Sequence, residues 1–136
     1  MEKGQEQSER FSIVKRAKSV THAVRGIRVF IMSTHNAWVE LLALAIAVAF
    51  GLFLGISYVD WMMLIFAAGL VLTAEAFNTA IEIDIDLTSP EYHPYARDTK
   101  DVAAGAVLIA SISAVLIAIG IFGHYVLELV LHLLGR

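Results

Sequence analysis

Two glutamates interrupt an otherwise apolar stretch in the middle of the chain. The stretch Trp61–Ile85 reads WMMLIFAAGLVLTAEAFNTAIEIDI and contains Glu75, Asn78 and Glu82 at spacings of three and four residues. At about 3.6 residues per helical turn, these side chains and the Thr79 hydroxyl share a stripe about 60° wide. Because ionisable groups within a membrane-length helix are costly, these residues are functional candidates.

The stripe has three possible uses. Two carboxylates about 10 Å apart along a helix can divide the work of phosphoryl transfer, one binding a divalent cation and the other accepting a proton. The same residues can also form a structural hydrogen-bonding interface, or an ion or proton pathway in an oligomer. The sequence has no G-x-x-x-x-G-K-[ST] motif or other Gly-rich loop, so a P-loop or protein-kinase mechanism is excluded.

The composition indicates an integral membrane protein. Hydrophobic residues make up 58% of the 136 positions and charged residues 17%, and there is no cysteine. We predict one all-α membrane domain, 1–136, in which about 20 apolar residues suffice for each span. It comprises a disordered tail at 1–9, an amphipathic interfacial helix at 10–33, and transmembrane helices at 37–59, 61–85 and 101–123, the last ending there or continuing to 134.

The positions of the basic residues predict the topology. Seven of the ten Lys and Arg residues lie in the first 36 positions, and Arg97 and Lys100 lie between the second and third spans. The positive-inside rule therefore places the N-terminus and this connection in the cytosol, and the C-terminus outside. Basic residues of the interfacial helix, Arg28 among them, favour anionic lipid or phosphate groups, or only anchor the topology.

The connection between the second and third spans is rich in polar residues. Asp86 lies one turn beyond Glu82 and extends the acidic stripe. Lys100 offers a point charge to a phosphate, and Asp101 is predicted to cap the third transmembrane helix. An ordinary interfacial cap is the alternative for this Lys-Asp pair.

Small residues in the spans predict close helix packing. Gly51 and Gly55 form a GxxxG pair in the first span, and alanines recur every four residues along the third, at Ala106, Ala110, Ala114 and Ala118. Three helices alone enclose a polar site poorly. We therefore expect a homo-oligomer with cyclic symmetry.

Two segments, EAFNTAIEIDID and EYHPYARDTKDVAAGAVLIA, resemble the prokaryotic integral-membrane diacylglycerol kinase family, which includes the undecaprenol kinases. With the interfacial helix and the spans, the resemblance covers nearly the whole chain. It implies a homotrimer of the bacterial inner membrane that transfers the γ-phosphate of ATP, with Mg²⁺, to a lipid hydroxyl at the cytosolic face. The competing class is a small ion- or proton-coupled transporter, which leaves Lys100-Asp101 unexplained. We expect no nucleic-acid partner.

The resemblance also implies roles for individual residues. Glu75 matches the family's catalytic base, Asn78 its polar neighbour, and Glu82 a ligand of the nucleotide-associated metal. Asp86 matches a further acid of the family, and Glu40 an acid found in diacylglycerol kinases. The positions that match ATP contacts are Glu82, Glu91, Tyr92, His93, Lys100 and Asp101.

Two positions depart from the family pattern. Thr34 stands where the family has a second acidic metal ligand, so the metal would be held with less protein charge. His22 stands where diacylglycerol kinases carry a tyrosine. The resemblance leaves the identity of the lipid substrate open. The segments His93-Pro94 and AAGAVLIA favour undecaprenol, whereas Glu40 and the EYH segment favour diacylglycerol.

Overall fold

The computed structural model describes residues 13–135, which form four α-helices and no strand. The helices are α1 (Ile13–Ser33), α2 (His35–Leu54), α3 (Tyr58–Thr88) and α4 (Pro94–Leu133). The last three are long and apolar enough to cross a membrane. These findings confirm the predicted all-α fold with three spans. The predicted tail at 1–9 and the predicted helix start at residue 10 lie outside the described residues.

Helix α1 is separated from α2 by the single residue Thr34, which has an extended backbone. Its Oγ1 accepts a hydrogen bond from the Ala37 N–H and donates one to the Phe30 carbonyl oxygen, each at 3.4 Å. The hydroxyl therefore caps the start of α2 and closes the end of α1. The apolar side chains Val20 and Val24 of α1 are exposed, as expected for a helix lying in a membrane interface.

The turn between α2 and α3 uses both glycines of the GxxxG pair. Gly55 takes the left-handed conformation, with φ 65°, and its N–H donates to the Gly51 carbonyl. This cap ends α2 at Leu54, five residues before the predicted end at 59. Gly51 is buried, and a Cβ there would lie 3.0 Å from both Ile56 Cδ1 and Trp61 Cη2. The absence of a side chain at position 51 thus lets Trp61 of α3 approach α2.

Helix α3 begins at Tyr58, after a capping box formed by Ser57 and Asp60. The Tyr125 hydroxyl of α4 joins this cap: it accepts the Ser57 N–H and donates to Asp60 Oδ2, each at 2.8 Å. A small core beneath the cap contains Ile56, Leu64 and Ile121. We call this end of the bundle the Tyr125 end.

Helix α4 begins seven residues before the predicted start at 101. His93 Nδ1 accepts the Tyr95 N–H at 3.3 Å, and Pro94 occupies the first turn, where its missing N–H and fixed φ suit a helix start. The prediction that Asp101 caps this helix is therefore wrong, because Asp101 lies about two turns inside it. At its other end α4 reaches Leu133, one residue before 134, the later of the two predicted ends.

Small side chains bring α4 against α3. Ala103 and Ala110 are buried, Ala114 and Ala118 are half-buried, and Ala106 is exposed. The alanine repeat thus lies partly at a contact within the chain and partly on its surface.

Candidate functional site

The site is centred on Glu75, a fully buried carboxylate in α3 that is 1% exposed. Asn78 and Thr79, one turn along the helix, are also buried. The Thr79 hydroxyl donates to the Glu75 carbonyl oxygen at 2.9 Å, so the backbone of its own helix satisfies it. Asn78 Nδ2 donates to Glu82 Oε1 at 3.1 Å, which holds the half-buried Glu82 carboxylate in place. The four residues of the predicted stripe therefore lie together on α3, and a side-chain hydrogen bond links Asn78 to Glu82.

Three buried oxygens at this site accept no hydrogen bond from any described residue. They are Glu40 Oε2, Glu75 Oε1 and Asn78 Oδ1. A buried acceptor without a donor costs about 1–3 kcal/mol. All three oxygens are able to accept a hydrogen bond from a bound molecule, or to coordinate a cation.

Glu40 comes from α2, 35 residues before Glu75 in the chain. It lies close enough to Glu75 for the two carboxylates to interact electrostatically. Sequence spacing gives no sign of this proximity, because it depends on how α2 packs against α3. The resemblance named Glu40 as a candidate, and the fold places it beside the stripe.

An apolar cavity of about 230 Å³ between α2, α3 and α4 adjoins Glu40. Its lining includes Ala47 of α2, Ala67 of α3 and Ala118 of α4, and Glu40 is its one charged residue. The small side chains leave room for an apolar chain, and the carboxylate lies at one end. Such a cavity suits a molecule with a polar head and a hydrocarbon tail.

The polar residues of the connection between α3 and α4 lie at the end of the bundle opposite Tyr125. We call this the Lys100 end. Lys100 Nζ donates to Asp86 Oδ1, joining α3 to α4. Arg97 Nη2 pairs with Asp98 at 3.0 Å, and Arg97 Nε lies 3.9 Å from Asp101 Oδ2. Lys100 and Asp101 thus have intrachain partners, and the stripe on α3 continues to Asp86.

The candidate residues Glu91, Tyr92 and His93 all lie in the exposed connection between α3 and α4. Tyr92 Oη accepts a long hydrogen bond, 3.5 Å, from Arg97 Nη1. These side chains flank the Lys100 end without entering the buried part of the site.

A second cavity, of about 380 Å³, lies between α1 and α3. His22 and Arg25 of α1 line one wall, and Thr79 lines the other. The arginine that lines this cavity is Arg25, whereas the predicted candidate Arg28 is not among its lining residues. The sequence did not single out Arg25, because all the basic residues of an interfacial helix look alike until the helix is docked.

The site lacks a preformed metal cage. No group of three or more His, Cys, Asp or Glu side chains able to hold a metal occurs among the described residues. Glu82 offers a carboxylate, the ligand type that Mg²⁺ prefers, whereas the Thr34 hydroxyl is engaged as the α2 cap. These residues fit an ion that brings most of its ligands with it, as phosphates and water.

The comparison with known families identifies the chain. The sequence profile described as prokaryotic diacylglycerol kinase matches residues 21–122, three quarters of the protein. The chain belongs to the prokaryotic diacylglycerol kinase family, a family of lipid kinases. The resemblance found in the sequence is thereby confirmed.

Individual relatives carry two different names. An undecaprenol kinase from Bacillus subtilis (strain 168) is 33% identical over 105 residues, which cover 77% of this chain and 85% of the relative. A diacylglycerol kinase from Helicobacter pylori (strain ATCC 700392 / 26695) is 35% identical over 102 residues, 70% of this chain and 77% of the relative. A diacylglycerol kinase from Escherichia coli (strain K12) is 31% identical over 99 residues, 73% of this chain and 81% of the relative.

Proposed function

We propose that this protein transfers the γ-phosphate of ATP, with Mg²⁺, to the hydroxyl of a membrane lipid. The observation that carries the proposal is the Glu75 carboxylate, which is fully buried and keeps one oxygen without a donor. Glu75 lies one helical turn from Val71, which lines the apolar cavity. Membership of a lipid kinase family supports it.

Glu75 is the general base in this mechanism. The lipid hydroxyl donates a hydrogen bond to Glu75 Oε1, which takes the proton as the hydroxyl oxygen attacks the γ-phosphorus. A bond forms between the lipid oxygen and phosphorus, and the bond from phosphorus to the β–γ bridging oxygen breaks. ADP leaves with that electron pair. A positioned base of this kind contributes about 10²- to 10⁴-fold to the rate.

Asn78 and Glu82 organise the phosphate side of the site. Asn78 binds Glu82 through its Nδ2, which leaves its Oδ1 free to accept a hydrogen bond. Glu82 would hold Mg²⁺, which supplies charge neutralisation at the phosphates when bound. Because Thr34 is engaged as a helix cap, the remaining ligands of the ion would be phosphate oxygens and water.

The nucleotide occupies the Lys100 end, which we place in the cytosol. Glu91, Tyr92, His93, Lys100 and Asp101 flank that end and are the proposed contacts for ATP. Lys100 exchanges its partner Asp86 for a phosphate oxygen, which is favourable because a phosphate carries more charge than one carboxylate. The resemblance further supports a homotrimer, and the positive-inside rule supports an N-terminus in the cytosol and a C-terminus outside.

The lipid tail occupies the cavity between α2, α3 and α4, and the hydroxyl lies between Glu40 and Glu75. An apolar lining accommodates an acyl or a prenyl chain equally well. Undecaprenol and diacylglycerol are therefore both candidates. The His93-Pro94 and AAGAVLIA segments favour undecaprenol, whereas Glu40 and the EYH segment favour diacylglycerol.

The experiment is transfer of labelled γ-phosphate from ATP to each lipid, presented separately in micelles with purified protein and Mg²⁺. Labelled lipid phosphate, formed faster than inorganic phosphate, supports the proposal, and the faster lipid is the substrate. If neither lipid is labelled, the kinase proposal fails for this chain. Proton flux in protein-containing liposomes would then favour the transporter alternative.

A further inference from the structure

A third cavity, of about 600 Å³, lies between α1, α2 and α3. It is apolar apart from the Thr73 hydroxyl, and the proposed transfer of phosphate does not use it. We call it the apolar trough; its large side chains are Ile27, Phe30, Ile31, Leu41, Leu72 and Phe77.

The trough adjoins the cavity of about 380 Å³ between α1 and α3, because Phe30, Ala76 and Ala80 line both. We call the latter the basic cavity, after His22 and Arg25 in its wall. No Asp or Glu occurs among the described residues that line either cavity. Together the two cavities offer a basic part next to an apolar part.

The basic cavity lies at the depth of lipid phosphates. Thr79, in its α3 wall, is 19 residues from Asp60, about 28 Å along the helix. Asp60 belongs to the exposed cap at the Tyr125 end, and the hydrocarbon core of a bilayer is about 30 Å thick. With Asp60 at one edge of the core, Thr79 and the basic cavity therefore lie at the other edge.

The apolar trough has the length of one lipid leaflet. Along α3 its lining runs from Ala80 to Gly69, 11 residues, which is about 16 Å of helix. Half of a hydrocarbon core of about 30 Å is about 15 Å. An acyl chain that begins at the basic cavity therefore fits the trough from the headgroup level to the middle of the membrane.

Two glycines keep these cavities open. Gly26 of α1 lines the basic cavity and Gly69 of α3 lines the trough. A Cβ at either position would meet no atom of the described chain within 4 Å. Glycine is a poor helix former, and neither glycine admits a neighbouring helix of this chain. Their small size instead leaves room for a bound molecule.

The basic side chains are available to an anion. Neither His22 nor Arg25 forms an ion pair with an acidic side chain of the described residues. A guanidinium group binds a phosphate through two parallel hydrogen bonds, and an imidazole N–H supplies a further donor. Under the proposed topology the basic cavity faces the cytosolic leaflet, whose anionic lipids attract basic residues.

We propose that the two cavities bind one anionic phospholipid of the membrane. Its phosphate lies between His22 and Arg25, and one acyl chain lies in the apolar trough. The bound lipid ties α1 to α3, because the headgroup contacts α1 while the chain packs on α3. This lipid is not the substrate, since the cavities have no carboxylate to accept a hydroxyl proton, so the proposal does not rest on the kinase activity.

Native mass spectrometry of the full-length protein, released from dodecyl maltoside micelles, tests the proposal. Phosphatidylglycerol and phosphatidylcholine with the same acyl chains are added separately, and we expect phosphatidylglycerol to bind several-fold more tightly. Arg25→Gln should remove this preference, whereas Arg28→Gln, which makes the same change of charge outside both cavities, should keep it. Equal binding of the two lipids by the wild-type protein, or equal losses in the two variants, would overturn the proposal.

A second pair of variants tests the trough. Gly69→Leu places a large side chain in it and should weaken phosphatidylglycerol binding several-fold. Gly120→Leu is the control, because a Cβ at Gly120 also meets nothing within 4 Å but Gly120 lines neither cavity. Undiminished binding by Gly69→Leu would contradict the placement of the acyl chain, and circular dichroism checks that the helices of both variants are intact.

Competition with nucleotide distinguishes a lipid phosphate from a nucleotide phosphate. The β,γ-methylene analogue of ATP, added to the wild-type protein with phosphatidylglycerol bound, should leave the lipid in place. Displacement of the lipid by this analogue would overturn the proposal and assign the basic cavity to the nucleotide.

Discussion

Replacing Gly51 with alanine tests the packing that sets the α2–α3 turn. The new Cβ would lie 3.0 Å from Ile56 Cδ1 and 3.0 and 3.2 Å from two atoms of the Trp61 ring. Ordinary carbon contacts are about 3.5–4.0 Å, so the ring must shift, and overpacking of this kind costs about 1–3 kcal/mol. The substitution also gains about 1 kcal/mol of helix propensity.

Gly69→Ala is the matched control, because a Cβ at Gly69 in α3 would meet nothing within 4 Å. Both variants gain the same helix propensity. The difference between their free energies of unfolding therefore isolates the overpacking cost, and Gly51→Ala should be less stable by about 1–3 kcal/mol.

The assay is equilibrium unfolding in mixed micelles with increasing dodecyl sulfate, followed by circular dichroism. A third variant, Trp61→Ala, removes the ring that the new Cβ meets, so the cost of Gly51→Ala should shrink in that background. If Gly51→Ala is as stable as Gly69→Ala, or if its cost is unchanged without the Trp61 ring, the packing argument is wrong.

Three further predictions follow from the capped start of α2 and from the Lys100 end. Thr34→Ala should lower the free energy of unfolding by about 0.5–2 kcal/mol while Thr34→Ser should not; equal stability of the two variants would exclude a capping role for the hydroxyl. Thr34→Asp keeps a capping acceptor and adds a charge, so the Mg²⁺ concentration for half-maximal phosphate transfer should fall; an unchanged Mg²⁺ dependence would mean that position 34 does not reach the ion. Lys100→Met should cost less than about 1 kcal/mol of stability, because its partner Asp86 is 69% exposed, but should raise KM for ATP; an unchanged KM would remove Lys100 from the nucleotide site.

The sequence predicted those features that depend on helical periodicity and hydropathy. Glu75, Asn78 and Glu82 lie on one helix at three- and four-residue spacing, so their common stripe follows from the helix alone. The three spans follow from apolar runs longer than the bilayer core. These features are local, and packing does not alter them.

Features that depend on packing or on terminal hydrogen bonds were not predictable in this way. Asp101 was expected to cap α4, but His93 and Pro94 start the helix two turns earlier, extending a membrane helix into polar sequence. The proximity of Glu40 to Glu75 requires the placement of α2 on α3. The role of Gly51 in admitting Trp61 appears only when the turn is formed.

The most direct test of the account is the rate of γ-phosphate transfer from ATP to lipid by wild-type protein and by Glu75→Gln. Glutamine keeps the size of the side chain but cannot accept the hydroxyl proton. The account predicts a rate about 10²- to 10⁴-fold lower, with ATP binding, measured separately, unchanged. A Glu75→Gln protein that transfers phosphate at the wild-type rate would contradict the assignment of Glu75 as the base.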